Sequence, residues 1–330
     1  IHTGQHYSKN LNNIFLKDFK ILDPNYNLKI GSKPHGEQTA LMMIGIEKIL
    51  STIPLKAILV YGDTNSALAG ALAGSKFHDV CVIHLEAGLR SFEIKMPEET
   101  NRKAIDHISD ILITTTTIAK NFLIKEGIKK NTIFISGNTI VDAIKLHKAK
   151  IDSNFNLLKD YNLNKNNYFL LTLHRQENVE DKNKFLKIYK SLEKISTNLQ
   201  MDIIFPAHPR TQKLIKSLNI KFNKKIKIIE PVNYLNFLTL INNSRLVITD
   251  SGGIQEESCT MRVPTITLRT STERQETVNM GANILSKYDY NSLFKNITGM
   301  LNKKIKWEKP YGSGNASEKI YNILKKLKKI

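Results

Sequence analysis

Two hydrophobic patterns alternate along this chain. Short apolar runs rich in β-branched residues predict strands at AILVYG, VCVIHLE, ILITTT and TIFISG, then at YFLLTL, DIIFPA, IKIIEP, LVITD and PTITLR. Between them lie segments such as NSALAGALAGSKF and DKNKFLKIYKSLEKISTNL, whose apolar positions return every third or fourth residue and predict helices. Strand–helix alternation of this kind belongs to βαβ units on a parallel sheet, so the predicted fold class is α/β. The polar, Asn-rich stretch IDSNFNLLKDYNLNKNN at 151–167 has no clear strand and marks a boundary, giving domains at 1–150 and 151–314. The closing ASEKIYNILKKLKKI reads as an amphipathic helix packed on the body. Open parallel sheets bind ligands outside the C-terminal ends of their strands, so two such domains are expected to face a cleft lined from those ends.

Composition narrows the picture. A chain of 330 residues, 41% hydrophobic, is long enough for two cores. Its longest apolar runs are strand-sized, which predicts no membrane span and, with no leader pattern, a cytoplasmic setting. Two cysteines, Cys81 and Cys259, are too few for a disulfide framework or a zinc site. None of the nine histidines has metal-ligand spacing, so no metal is expected. The formal charge of +19 raises a nucleic-acid reading, but no recognition motif or aromatic platform accompanies it. The lysines are scattered beside Ile and Asn and read as a solvated surface whose field can draw in an anionic substrate. No strand is followed by G-x-G-x-x-G and no G-x-x-x-x-G-K-[ST] occurs, which leaves no support for a dinucleotide cofactor or a P-loop.

Candidate chemistry gathers just after the strands. LVITDSGGIQEE runs from an apolar strand into two glycines and then a helix, a junction whose bare first amides suit an anion. Glu256 and Glu257, one turn inward, would repel a phosphate unless the ligand also carries hydroxyls for a carboxylate to accept. Asp63 follows AILVY and is either a working acid or the cap of the next helix. Glu86 ends an apolar strand, where a carboxylate is desolvated unless paired or working. Pro97 opens a helix, so one of Glu98 and Glu99 serves the helix dipole alone. His174 and Arg175 follow YFLLTL, and His208 and Arg210 follow DIIFPA. TLRTSTERQE offers Arg269, Glu273 and Arg274, with the hydroxyls of Thr270, Ser271 and Thr272 for a second anion contact. Arginine forks near such a site suit a diphosphate.

Taken in order, TGQHY, GDTNS, HLEAGLRS, MPEETNR, GNTIVDA, LHRQEN, PAHPR, DSGGIQEE and STERQE resemble the non-hydrolysing UDP-N-acetylglucosamine 2-epimerases over nearly the whole chain. The resemblance implies a glycosyltransferase-B-like fold of two doubly wound Rossmann-like domains, the first completed by the terminal helix 315–330, in a homodimer acting on a UDP-sugar without a cofactor. Position by position, Asp63, Glu86, Glu98 and His174 match the family's acid/base and essential residues. Arg102, Ser251, Gly252, Gly253, Glu257 and Arg274 match positions that hold the nucleotide sugar or support its site. Gln5, His6 and His208 match positions around a second, regulatory UDP-N-acetylglucosamine in bacterial members. One departure is that family members open with a strand and a Gly-Thr-Arg-Pro-Glu-like loop, whereas this sequence starts at Ile1 in what reads as the end of the second strand.

The implied chemistry fits the inventory. The C2 hydrogen has no carbonyl beside it, so direct exchange fails and elimination of UDP to 2-acetamidoglucal, followed by re-addition, solves the problem. That route needs acid/base groups on opposite faces. The alternatives are a 2-epimerase of a related UDP-sugar such as UDP-2,3-diacetamido-glucuronate, with Lys95 or Arg175 meeting the extra carboxylate, a hydrolysing epimerase, a glycosyltransferase and a non-catalytic nucleotide-sugar binder.

Overall fold

The computed structural model describes residues 1–5, 21–218, 223–304 and 306–328, with the side chains of 176, 177, 209 and 210 left aside. His6 lies outside the described residues. The chain forms two compact units, Ile1–Asp142 with Tyr311–Ile330, and Ala143–Pro310. The division falls inside the helix Thr139–Ser153, and the Asn-rich stretch beyond it carries a further short helix, Phe155–Asp160.

In the first unit, β1 (Ala57–Tyr61), β2 (Cys81–Ala87), β3 (Ile111–Thr114) and β4 (Ile133–Ile135) form a parallel sheet in chain order. Side chains alternate across it, as the strand period demands. Cys81, Ile83, Leu85, Ile111 and Ile113 pack with Ile320 and Leu324 of the helix Ala316–Lys326. Val82 on the other face packs with Val60, Ala67, Ala71 and Ile105. The Asp142 carboxylate accepts from the amides of Ala316 and Ser317, which places an anion at the positive end of that last helix. Burying Ile320 and Leu324 contributes about 1.5–3 kcal/mol each, so a charge at Leu324 would detach the helix.

In the second unit, β5 (Tyr168–Thr172), β6 (Asp202–Pro206), β7 (Ile226–Ile229), β8 (Leu246–Thr249), β9 (Thr265–Thr267) and β10 (Asn283–Leu285) form a parallel sheet ordered β10-β9-β8-β5-β6-β7. Phe169, Leu171, Ile203, Phe205, Leu246 and Ile248 face the helices Lys182–Leu199 and Tyr290–Leu301. The alternate residues Tyr168, Leu170, Ile204 and Val247 face the helices Thr139–Ser153 and Tyr234–Asn243. Strand order reverses between β5 and β8, and a reversal of this kind opens a crevice at the strands' C-terminal ends. The sequence pattern does not reveal β10, whose three residues are too short for a periodic signal. No helix of the described residues is long and apolar enough to cross a membrane.

Candidate active site

Each unit presents its candidate groups at the C-terminal ends of its strands. In the first, β1 and β2 pair Tyr61 with Leu85, so the residues that follow, Asp63 and Glu86, leave adjacent strands. Asp63 does not cap the next helix. Thr64 does, its hydroxyl accepting from the Ala67 amide. The Asp63 carboxylate, 30% exposed, instead accepts from Arg102 at 2.5 Å, and its carbonyl accepts from Asn101 Nδ2. Glu86 sits at φ 64°, in the left-handed region that non-glycine residues rarely occupy, where the pairing of β2 with β3 shifts register. Its carboxylate accepts from Tyr61 Oη at 3.0 Å.

The helix Pro97–Ile108 separates the two acids of its first turn. Glu99 is buried, accepting from the Ser91 amide and hydroxyl, the Phe92 amide and the Arg102 guanidinium. Burial alone would raise its carboxyl, but the Ser91 amide and Arg102 outweigh that and hold it below its ordinary value. Glu98 is half-buried on the same turn. Of the two roles expected for Arg102, holding the nucleotide sugar or supporting its site, the contacts are those of a support. Its side chain is 2% exposed and donates to Asp63, Glu99 and Ser91. The guanidinium therefore fixes Asp63.

In the second unit the switch point carries the site. Thr172 and Thr249 pair across β5 and β8 with their hydroxyls 2.6 Å apart. His174 and Asp250 follow directly. Asp250, with no side-chain exposure, accepts from the amides of His174 and Arg175 and from Asn178 Nδ2, while His174 Nδ1 lies 3.0 Å from Oδ1. Burial would raise the Asp250 carboxyl, and these bonds, led by His174, hold it below its usual value. The His174 ring is 53% exposed. With Nδ1 turned to a carboxylate, Nε2 is the nitrogen left for chemistry.

Asp250 leads into the helix Gly252–Thr260. The amide of Ser251 donates to Thr249 Oγ1 at 3.0 Å, which corrects the expectation that it faces an anion. The amides of Gly252 and Gly253 fall in the first turn, where a helix has no acceptors of its own. The two glycines differ. A Cβ at Gly252 would lie 2.3 Å from Glu273 Oε1, whereas one at Gly253 would meet nothing within 4 Å. Gly252 thus admits Glu273 beneath the turn, and Gly253 leaves the approach to the turn open.

The two acids one turn inward also separate. Glu256 pairs with Arg274 Nε at 2.6 Å, both side chains buried, so Arg274 braces the helix rather than reaching for substrate. Glu257 is buried and pushed up to about 7 by that burial, against the opposing hydrogen bond from Tyr234. Arg269 pairs with Glu273 at 2.9 Å, and Thr272 donates to Gln255 and accepts from the Arg274 amide, so its hydroxyl is already engaged. Gln5 accepts from Ser66 Oγ within the first unit, and His208 is exposed after β6 in the second. Sequence reasoning missed Asp250 as a site residue, along with Asn178, Tyr61 and Tyr234. The strand-end rule that picked out Asp63 and Glu86 applies equally to Asp250.

Two parallel-sheet units with acid/base groups and a glycine turn at their strand ends place the protein in the glycosyltransferase-B-like class, the class of its solved structural relatives. The family model described as UDP-N-acetylglucosamine 2-epimerase matches residues 1–325, and the chain belongs to that family. A relative from Methanocaldococcus jannaschii named UDP-N-acetylglucosamine 2-epimerase is 50% identical over 330 residues, covering 98% of this chain and 90% of the relative. The crystal structure of the Methanocaldococcus jannaschii UDP-GlcNAc 2-epimerase in complex with UDP-GlcNAc and UDP matches with a TM-score of 0.91, covering 99% of this chain and 91% of that one at 50% identity. A Pseudomonas aeruginosa relative named UDP-2,3-diacetamido-2,3-dideoxy-D-glucuronate 2-epimerase is 38% identical over 330 residues, covering 99% of this chain and 91% of the relative.

Proposed function

We propose that this chain interconverts UDP-N-acetylglucosamine and UDP-N-acetylmannosamine. A base takes the C2 proton while the C1–O electrons leave with UDP, giving 2-acetamidoglucal. UDP then adds back at C1 as a proton arrives at the other face of C2. The observation that carries this reading is the His174–Asp250 pair at the switch point, with Asp250 directly preceding Ser251. An oriented imidazole beside an anion-ready helix start suits proton exchange with a departing diphosphate.

In this reading the amides of Gly252 and Gly253 and the Ser251 hydroxyl take the diphosphate, and Glu257 accepts from the ribose hydroxyls. Asp63, Glu86 and Glu98 exchange the C2 proton. Acid near the glycine turn and the anion it binds then serve different parts of one ligand. Arg102 and Arg274 act indirectly, through Asp63 and Glu256. The 50% identity to a UDP-N-acetylglucosamine 2-epimerase, against 38% to the diacetamido-glucuronate enzyme, supports the N-acetylglucosamine substrate. Arg175 donates from Nε to the Asp250 carbonyl, and its other N–H groups or the exposed Lys95 would be the partners for a substrate carboxylate in the diacetamido-glucuronate reading. The reading includes a homodimer, checked by sedimentation velocity. Two buried free cysteines support a reducing, cytoplasmic setting.

The test is incubation with UDP-N-acetylglucosamine in heavy water, followed by proton and phosphorus NMR. UDP-N-acetylmannosamine with deuterium at C2 of both sugars is expected. Free N-acetylmannosamine would instead indicate a hydrolysing enzyme. UDP binding without deuterium at C2 would sink the catalytic reading.

A further inference from the structure

Behind the strand ends of the first unit lies a buried charged group that the reaction above does not use. Asp106, on the helix Pro97–Ile108, has no side-chain exposure and accepts from three separate places. His84 Nδ1 on β2 is 2.7 Å away, Arg90 donates at 2.7 Å, and the Gly88 amide donates at 3.2 and 3.3 Å to the two oxygens. The His84 ring donates through Nε2 to the Gly62 carbonyl at 3.0 Å. Arg90 is held on its other side by Glu126, with two bonds at 2.8 and 2.6 Å.

These contacts end on the two turns that carry Asp63 and Glu86. Gly62 immediately precedes Asp63, and Gly88 follows Glu86 by two residues. Gly62, Glu86 and Gly88 all have positive φ, at 69°, 64° and 80°. A Cβ at Gly88 would lie 2.4 Å from the Ala119 carbonyl oxygen, so this turn runs hard against its neighbour. A left-handed glutamate is sterically disfavoured and persists only where its surroundings over-determine it. Neutralising Arg90 would require only a carboxylate beside the guanidinium. It would not require the same carboxylate to hold Gly88 directly and Gly62 through an imidazole.

We propose that Asp106 is a positioning residue that sets Asp63 and Glu86 relative to each other, through Gly88 on one arm and through His84 and Gly62 on the other. The proposal rests on the reading of Asp63 and Glu86 as the groups that exchange the C2 proton. Misplacing a catalytic group by about 1 Å costs on the order of a hundredfold in rate. Asp106→Asn is therefore expected to lower kcat about 30- to 100-fold while KM for UDP-N-acetylglucosamine stays within about threefold.

Glu126→Gln is the structural control, since it weakens the same buried charges from the Arg90 side without touching either turn. It should cost a comparable shift in Tm and leave kcat within about twofold. His84→Asn keeps an amide nitrogen where Nδ1 stood but cannot reach Gly62, and should lower kcat about tenfold through the Asp63 arm alone. A kcat for Asp106→Asn within twofold of wild type, or a loss matched by Glu126→Gln, overturns the proposal. If Asp106→Asn does not fold, His84→Asn decides, and an unchanged kcat there overturns it. If the wild type does not turn over UDP-N-acetylglucosamine, the functional reading has failed. Positioning is then read from amide hydrogen exchange at Gly88, expected at least about tenfold faster in Asp106→Asn and unaltered in Glu126→Gln. Equal exchange in wild type and Asp106→Asn overturns the proposal.

Discussion

In the first unit the proposed working groups are carboxylates, and what holds them is a cation or a phenol: Asp63 lies against Arg102, and Glu86 against Tyr61. In the second the working group is an imidazole, and a fully buried carboxylate holds it. The polarity of holder and held is reversed. For Asp63 and His174 the arrangement is otherwise the same, a buried charged partner fixing a more exposed one at a strand end. The cation beside Asp63 fixes where its carboxylate lies, and an anion beside Nδ1 fixes which nitrogen of His174 carries the proton. The contrast teaches that charge in a motif does not by itself mark contact with substrate. Arg102, Arg274 and Glu256 are all charged and all turned inward.

The largest effect that would sharpen this contrast is loss of the held groups. Asp63→Asn and His174→Asn should each lower kcat about a thousandfold, with UDP affinity by calorimetry within about threefold of wild type. Loss of the holder in the second unit comes next. Asp250→Asn should lower kcat about a hundredfold, because the ring loses the acceptor that orients it. An unchanged rate would show that His174 needs no partner.

The paired acids of the glycine-turn helix give a smaller and more discriminating effect. Glu256→Gln breaks a buried ion pair and should cost about 3 kcal/mol of stability in chemical denaturation while sparing UDP binding. Glu257→Gln should do the reverse, weakening UDP about tenfold. Because burial raises Glu257 from 4.5 to about 7, the stability linked to it is fully present below its ordinary value and is lost as pH rises through about 7. The Gln variant should therefore be more stable than wild type at pH 8, by up to about 3 kcal/mol. If the ionised carboxylate accepts the ribose hydroxyls, wild-type UDP affinity rises across that same interval and the variant's stays flat. The smallest effect compares the glycines. Gly252→Ala drives a methyl into Glu273 and should destabilise by about 2 kcal/mol. Gly253→Ala meets open space and should alter only UDP affinity, by a few-fold.

Much of this was legible in the chain. Among the described residues, nine of the ten strands announce themselves as apolar runs, because a strand of a covered parallel sheet has few polar positions. The strand-end rule predicts that Asp63, Glu86 and His174 lie at strand C-termini, where the structure has them, and the glycines after LVITD predict the turn that opens the helix Gly252–Thr260. Direction was not legible. Neither Glu98 and Glu99 nor Glu256 and Glu257 can be told apart by spacing: packing alone buries Glu99 more deeply than Glu98, and gives Glu256 an arginine and Glu257 a phenol. The Ser251 amide reads as available until Thr249 is seen to accept from it. Asp250 is hidden by its own motif, where the two glycines carry the functional reading.

The central claim is that the bond from C1 to the diphosphate breaks and reforms in each turnover. It is tested most directly with UDP-N-acetylglucosamine carrying oxygen-18 in the bridge between C1 and the β-phosphorus, followed by phosphorus NMR during epimerisation. Elimination and re-addition of UDP should scramble the label into the non-bridging β-phosphoryl oxygens in step with inversion at C2. Inversion with the label still wholly in the bridge would contradict it.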